Sequence, residues 1–216
     1  MHYINIIMYY VFDKWQTFPQ SHKTHLESYE ILDEDIVGGD LISSKTDLLW
    51  HHDKAYTKTP PAYAALYCNK IDKGASPTYF ANLQQAYQDA PQELKDKAED
   101  VICNHTFENY VKQGHEYPVH FEEKSHERYF RKTSRAEHPL VMENEKGKFF
   151  FFSSGYTDAG DLTEELIKHC FQEKYIFKQH WKEGRLVIWN NYIYPHARKI
   201  TDKGLQREFI RYALNK

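Results

Sequence analysis

Hydrophobic positions fall in short clusters separated by polar and turn-forming residues, and their spacing predicts a chain built mainly of strands. After Pro60-Pro61 the run Ala62 to Asn69 (AYAALYCN) is apolar and is followed by Lys73-Gly74-Ala75-Ser76-Pro77, a strand between breakers. Lys148 to Ser153 forms a short buried strand followed by Gly155. Tyr175, Phe177, Gln179 and Trp181 alternate across another, Lys182-Glu183-Gly184-Arg185 turns, and Leu186 to Trp189 runs back. Arg207 to Leu214 (REFIRYAL) supplies a closing strand. Helix formers occupy Asn82 to Ala90 and Gln92 to Ile102 on either side of Pro91, which predicts two short helices. A third helix covers 162–173: Leu162, Leu166, Ile167, Cys170 and Phe171 share one face, and Asp161 with Glu164 resembles a capping box. Met1 to Phe12 reads as a buried strand, and 21–45, polar with a Gly38-Gly39 pair, as irregular chain or a short hairpin. From 106 to 137 the chain is charged, aromatic and histidine-rich without period, which fits a loop or lid. Many strands and few helices predict a β-sandwich or barrel with helices packed outside.

Composition narrows the function. The 216 residues are one domain's worth of chain. Lys plus Arg number 28 against 31 Asp plus Glu, a net charge of −3 that gives no electrostatic case for nucleic acid. No apolar run approaches the roughly 20 residues of a membrane span. Hydrophobic residues make up 41%, too many for a disordered chain. Three scattered cysteines, Cys68, Cys103 and Cys170, argue against a disulfide framework or a cysteine zinc site. The N-terminus has no basic residue before its apolar stretch and no small-residue cleavage site after it. A cytoplasmic protein is therefore expected, and nothing excludes a homo-oligomer.

Thirteen histidines remain to be explained. Three of them stand two residues before a carboxylate, in His25-Leu26-Glu27, His51-His52-Asp53 and His120-Phe121-Glu122. On extended chain, residues i and i+2 point to one side, so such a pair can grip one metal ion. With a second imidazole it makes a facial triad that leaves positions open on Fe(II). The spacing also arises by chance, and context separates the three.

Trp50-His51-His52-Asp53 is followed by Thr59-Pro60-Pro61, by Gly74 to Thr78, by His138-Pro139-Leu140-Val141, by Trp189-Asn190-Asn191 with His196, and by Arg207 and Arg211. This order resembles the TauD/TfdA (taurine dioxygenase-like) family of Fe(II)- and 2-oxoglutarate-dependent oxygenases, from about residue 46 to the C-terminus. The resemblance implies a single oxygenase domain over 1–216: a short N-terminal segment 1–45 and a double-stranded β-helix (jelly-roll) core 46–216, with a lid at 104–137. It implies His51, Asp53 and His196 as iron ligands, and Arg207 with Thr78 as partners of the distal carboxylate of 2-oxoglutarate. Arg211 and Tyr156 then correspond to substrate-binding positions, which suits a small anionic or amino-acid-like substrate. The implied reaction consumes O2 and releases succinate and CO2. Two positions differ from the family pattern: Asn190 stands for an Asp, removing one charge near the ligands, and Ser153 for an Asn. The 50 residues before His51 are fewer than the family usually has in its substrate pocket.

The residues themselves add a reason for Arg207, because a buried dicarboxylate needs a planar, permanently charged fork. His52 should point away from the metal, by alternation, and Tyr192 and Tyr194 should serve packing. The alternatives are a catalytically idle jelly-roll protein binding a small ligand, and a hydrolytic zinc site on the same ligands.

Overall fold

Successive side chains of a strand point to opposite faces, and the central strands bury both, as the unbroken apolar runs Ala64 to Cys68 and Leu186 to Trp189 require. The computed structural model describes residues 30–38, as backbone, and 47–106, 135–199 and 205–215. In chain order its strands and α-helices are β1 (Glu30–Gly38), β2 (Leu48–His51), β3 (Tyr63–Ile71), β4 (Thr78–Ala81), α1 (Leu83–Asp89), α2 (Gln92–Ala98), β5 (Ile102–Thr106), β6 (Arg135–Pro139), β7 (Val141–Asn144), β8 (Gly147–Phe150), β9 (Thr157–Asp158), α3 (Thr163–Cys170), β10 (Ile176–Gln179), β11 (Leu186–Asn190), β12 (His196–Arg198) and β13 (Arg207–Asn215).

Two four-stranded antiparallel sheets dominate, in the orders β1-β13-β3-β11 and β10-β4-β12-β2. A three-stranded sheet, β6-β5-β9, and the hairpin β7-β8 flank them. Leu66 and Cys68 of β3, Val187 and Trp189 of β11, and Phe209 of β13 meet Phe80 of β4 and Phe149 and Phe151 in one buried cluster. Phe80 and Trp189 touch across the sheets at 5.1 Å between ring centroids. The opposite parity, Ala65, Tyr67, Ile188, Ile210 and Tyr212, buries against the other face of the first sheet. Arg207 and Arg211 share their parity with Phe209, so β13 turns both arginines toward the space between the sheets. The helices pack on a separate core through Leu83, Leu94, Leu166 and Cys170.

The predicted mainly-β architecture with flanking helices holds, with local differences. Residues 30–38, expected to be irregular or a short hairpin, pair as β1 along β13 from Glu30 opposite Asn215 to Gly38 opposite Glu208. The second helix stops at Ala98, and Ile102 opens β5 instead. The expected lid therefore begins and ends in paired strands, β5 against β6; residues 107–134 lie outside the described residues. So do the N-terminal strand and the tripeptides at His25 and His120. The predicted capping box does not form. A 3-10 turn at Gly160–Leu162 leads into α3, the Asp158 carboxylate accepts the Gly160 N–H at 3.1 Å, and the Thr163 hydroxyl accepts that of Ala159 at 3.3 Å. α3 spans Thr163–Cys170 rather than 162–173, and its Ile167, expected in the core, is 39% exposed. Among the described residues no helix is long and apolar enough to cross a membrane.

Candidate metal centre

β2 and β12 are neighbours, and their register sets His196 directly opposite His51. The pairing shifts between His196 and Arg198, an irregularity of the kind that re-aims side chains beside functional sites. The two imidazoles lie with ring centroids 4.1 Å apart. Past His51 the chain turns, with Lys54 in the left-handed region at φ 55°, and Asp53 comes up beside both rings. Asp53 Oδ1 is 3.8 Å from Nε2 of His51 and 3.8 Å from Nε2 of His196. One donor atom from each of the three residues falls within 4.8 Å of the others, the only such group of histidine, cysteine and acidic side chains among the described residues.

The donor chemistry fits a divalent cation. His51 Nδ1–H donates to the Leu49 carbonyl at 2.7 Å, which leaves the Nε2 lone pair facing inward. Burial holds the His51 imidazole below its ordinary pKa although Asp53 opposes this. Burial, helped by His51, pushes His196 down to about 3. Burial alone would raise the Asp53 carboxyl, but Arg211, His196 and His51 bring it below the usual carboxylate range. Two neutral imidazoles and one carboxylate are the state in which such groups coordinate metals.

Polar side chains hold this arrangement. Asn191, fully buried, accepts the Asp53 N–H at 2.9 Å and donates to the carbonyls of Asp53 at 2.9 Å and Pro61 at 3.0 Å. The Asn190 side-chain oxygen Oδ1 accepts the N–H groups of Tyr192 at 2.9 Å and Ile193 at 3.3 Å, capping the turn that leads to His196. A carboxamide oxygen does this as well as a carboxylate would, so the missing Asp charge leaves the turn intact. Tyr192, expected to serve packing, donates its hydroxyl to the Pro60 carbonyl at 3.0 Å. Trp50 stacks on Phe171 at 4.7 Å with planes 6° apart, tying β2 to the end of α3. His52 is buried away from the donor atoms, as alternation predicts.

A second polar group lies across β13 and β4. Arg207, 8% exposed, donates through Nη2 to Thr78 Oγ1 at 2.8 Å and through Nε to the Ser76 carbonyl at 3.3 Å, and it sits over the Phe209 ring at 4.3 Å. Burial, with Arg198 adding to it, lowers the guanidinium pKa to about 9, so it stays charged at neutral pH. Thr78 Oγ1 also accepts Trp181 Nε1–H at 2.9 Å. Of the two remaining sequence-predicted residues, Arg211 reaches Asp53 Oδ1 at 3.5 Å. Tyr156 sets its ring edge-on to His51 at 5.7 Å. Sequence reasoning missed Asn191 and the bond from Trp181; a doubled asparagine after Trp189 is the one local signal for the first, and nothing local announces the second.

The model of the Taurine catabolism dioxygenase TauD, TfdA family matches residues 8–213, nearly the whole chain. The chain belongs to the TauD/TfdA family. This TauD/TfdA chain is 21% identical over 187 residues to the alpha-ketoglutarate-dependent 2,4-dichlorophenoxyacetate dioxygenase of Burkholderia sp. (strain RASC), covering 80% of itself and 59% of that protein. It is 28% identical over 177 residues to an alkylsulfatase of Acinetobacter baylyi, covering 75% of itself and 54% of that protein. It thus spans less than two thirds of these curated relatives' length. Among solved structures, AAD-2 in complex with Mn(II) and N-oxalylglycine superposes with a TM-score of 0.76 at 20% identity, covering 95% of this chain and 82% of that one. A taurine dioxygenase from Burkholderia xenovorans gives 0.62 at 18% identity, over 85% of this chain and 62% of that one. These likenesses show a shared fold.

Proposed function

We propose that this chain is an Fe(II)- and 2-oxoglutarate-dependent dioxygenase that oxidises a small anionic or amino-acid-like substrate with release of succinate and CO2. The observation that carries it is the convergence of His51, Asp53 and His196 donor atoms within 4.8 Å, in the protonation states a divalent cation requires. We read the two facing sheets as a double-stranded β-helix, or jelly roll, within one domain. The family, and relatives named as alpha-ketoglutarate-dependent enzymes, support 2-oxoglutarate and O2 as cosubstrates.

Each residue has a task. His51, Asp53 and His196 would hold the iron, and a site of three protein ligands leaves room for exchangeable ones. Iron bound there supplies the redox chemistry that couples 2-oxoglutarate decarboxylation to substrate oxidation. Arg207 and Thr78 bind and orient the distal carboxylate of 2-oxoglutarate in a pocket closed by Phe209 and Trp181. Arg211 provides the cation for an anionic substrate group, and Tyr156, packed on His51, walls the pocket and excludes water. The complete donor set and the charged, buried Arg207 weigh against an idle binding protein, and Arg207 would have no task in a hydrolytic zinc site.

The test is anaerobic addition of Fe(II) and 2-oxoglutarate to the purified chain. A weak visible charge-transfer band should appear, and admission of O2 with a screen of sulfonates, sulfate esters, carboxylates and amino acids should release succinate. His51→Ala and Asp53→Ala should abolish both. Band and succinate persisting in either variant would sink the proposal.

A further inference from the structure

Three histidines outside the donor set pack around one ring. His52, His105 and His138 are buried, at 1%, 0% and 6% exposure, with ring centroids 4.5, 5.0 and 5.3 Å from that of Phe151. Hydrogen bonds join His52 to His105 in a line. Ser153 Oγ accepts the His52 backbone N–H at 3.1 Å, which leaves its own proton for His52 Nδ1, 2.8 Å away. The Ser153 N–H passes to Thr157 Oγ1 at 2.8 Å, and that hydroxyl meets His105 Nδ1 at 3.1 Å. His138 Nε2–H points between the carbonyls of Ala55 at 3.0 Å and Thr57 at 2.9 Å. His105 lies on β5, His138 on β6 and Thr157 on β9, so every strand of the small sheet contributes one residue.

This line ends on the turn that follows His51. We infer that His52 is a positioning residue: bound to Ser153 and seated on Phe151, it fixes the turn so that its two sequence neighbours, His51 and Asp53, present their donor atoms to one point. The geometry is direct. In extended chain successive side chains point to opposite sides, so a ring locked behind the turn sends those of its neighbours forward. His138 then restrains the same turn two and four residues beyond Asp53, and the β6-β5-β9 sheet acts as a brace behind the metal centre. Partners of this kind, one step removed from the ion, commonly change metal affinity by about 10–100-fold when removed. The inference rests on the metal reading proposed above.

Co(II) is the probe, titrated against a chelator into the metal-free chain and followed by its visible spectrum. His52→Asn keeps an acceptor near the place of Nδ1, whereas His52→Leu removes it. Expected is a loss of about tenfold or more in Co(II) affinity and a changed spectrum of the bound ion for His52→Leu, with His52→Asn close to the parent. A His52→Leu protein with the parent's affinity and spectrum overturns the inference, as does one that is merely less heat-stable while its bound Co(II) spectrum is unchanged. Should His52→Leu fail to fold, Ser153→Ala, which removes the proton donated to Nδ1, gives the same comparison. No Co(II) binding by the parent chain would overturn the metal reading itself, an outcome distinct from the others.

Discussion

Thr78 accepts hydrogen bonds from both Arg207 and Trp181, so its single proton is left to give. A hydroxyl in that position, against a buried guanidinium, is built to donate to an anion. Replacing it by an isosteric side chain isolates this contribution. Thr78→Val keeps the β-branched shape that suits β4 but offers neither acceptor nor donor. Hydrogen bonds to charged groups are worth about 1.5–3 kcal/mol, so 2-oxoglutarate affinity should fall by roughly tenfold to a hundredfold, since each 1.4 kcal/mol is a factor of ten. Fe(II) affinity should stay as it is, because Thr78 touches none of the three ligands. Titrating 2-oxoglutarate into the anaerobic iron-loaded protein measures this, and an unchanged dissociation constant would remove Thr78 from the cosubstrate site.

At the scale of elements, the metal centre depends on joining two chain segments far apart in sequence. Asn191 makes the joint: it ties the turn after β2 to the turn after β11, 138 positions along the chain from Asp53. Asn191→Ala leaves two buried carbonyls and one N–H without their partner, each at a cost of about 1–3 kcal/mol where water cannot take its place. The midpoint of urea unfolding of the metal-free protein should drop accordingly; a midpoint equal to the parent's would show that the joint is held elsewhere. The same contrast explains what the sequence disclosed. β3 and β11 were readable because both faces of these strands are buried, which leaves continuous apolar runs, Ala62 to Asn69 and Leu186 to Trp189, between turn-forming residues. Motif order singled out His51, Asp53, His196, Arg207 and Thr78, and the fold groups the first three and sets Arg207 on Thr78. The work of Asn191, Ser153 and Trp181 was not readable, since each is defined by a partner on another strand. Local signals also misled where tertiary packing decided otherwise: Asp161 and Glu164 have the spacing of a capping box, yet the chain enters α3 through a 3-10 turn.

For the whole molecule, burying histidines uncharged ties stability to pH. His105 is wholly enclosed, and burial, with His138 adding to it, pushes its pKa down to about 3, against about 6.5 in unfolded chain. Burial pushes His52 in the same direction. Above pH 6.5 both states leave His105 neutral, and its contribution is constant. Between 6.5 and 3 the unfolded chain binds a proton that the folded one refuses, so stability falls as pH falls, by up to about 1.4 kcal/mol per pH unit for each such histidine. Below about 3 the folded His105 is protonated as well, and its share is lost in full. Urea midpoints of the metal-free protein should therefore hold steady from pH 8 to 7 and decline from 6.5 to 5. His105→Asn keeps an acceptor toward Thr157 but cannot titrate, so it should flatten that decline by one histidine's share while leaving the plateau above pH 7 comparatively little changed. A variant with the parent's full slope would place the acid sensitivity in other groups and remove His105 from the account.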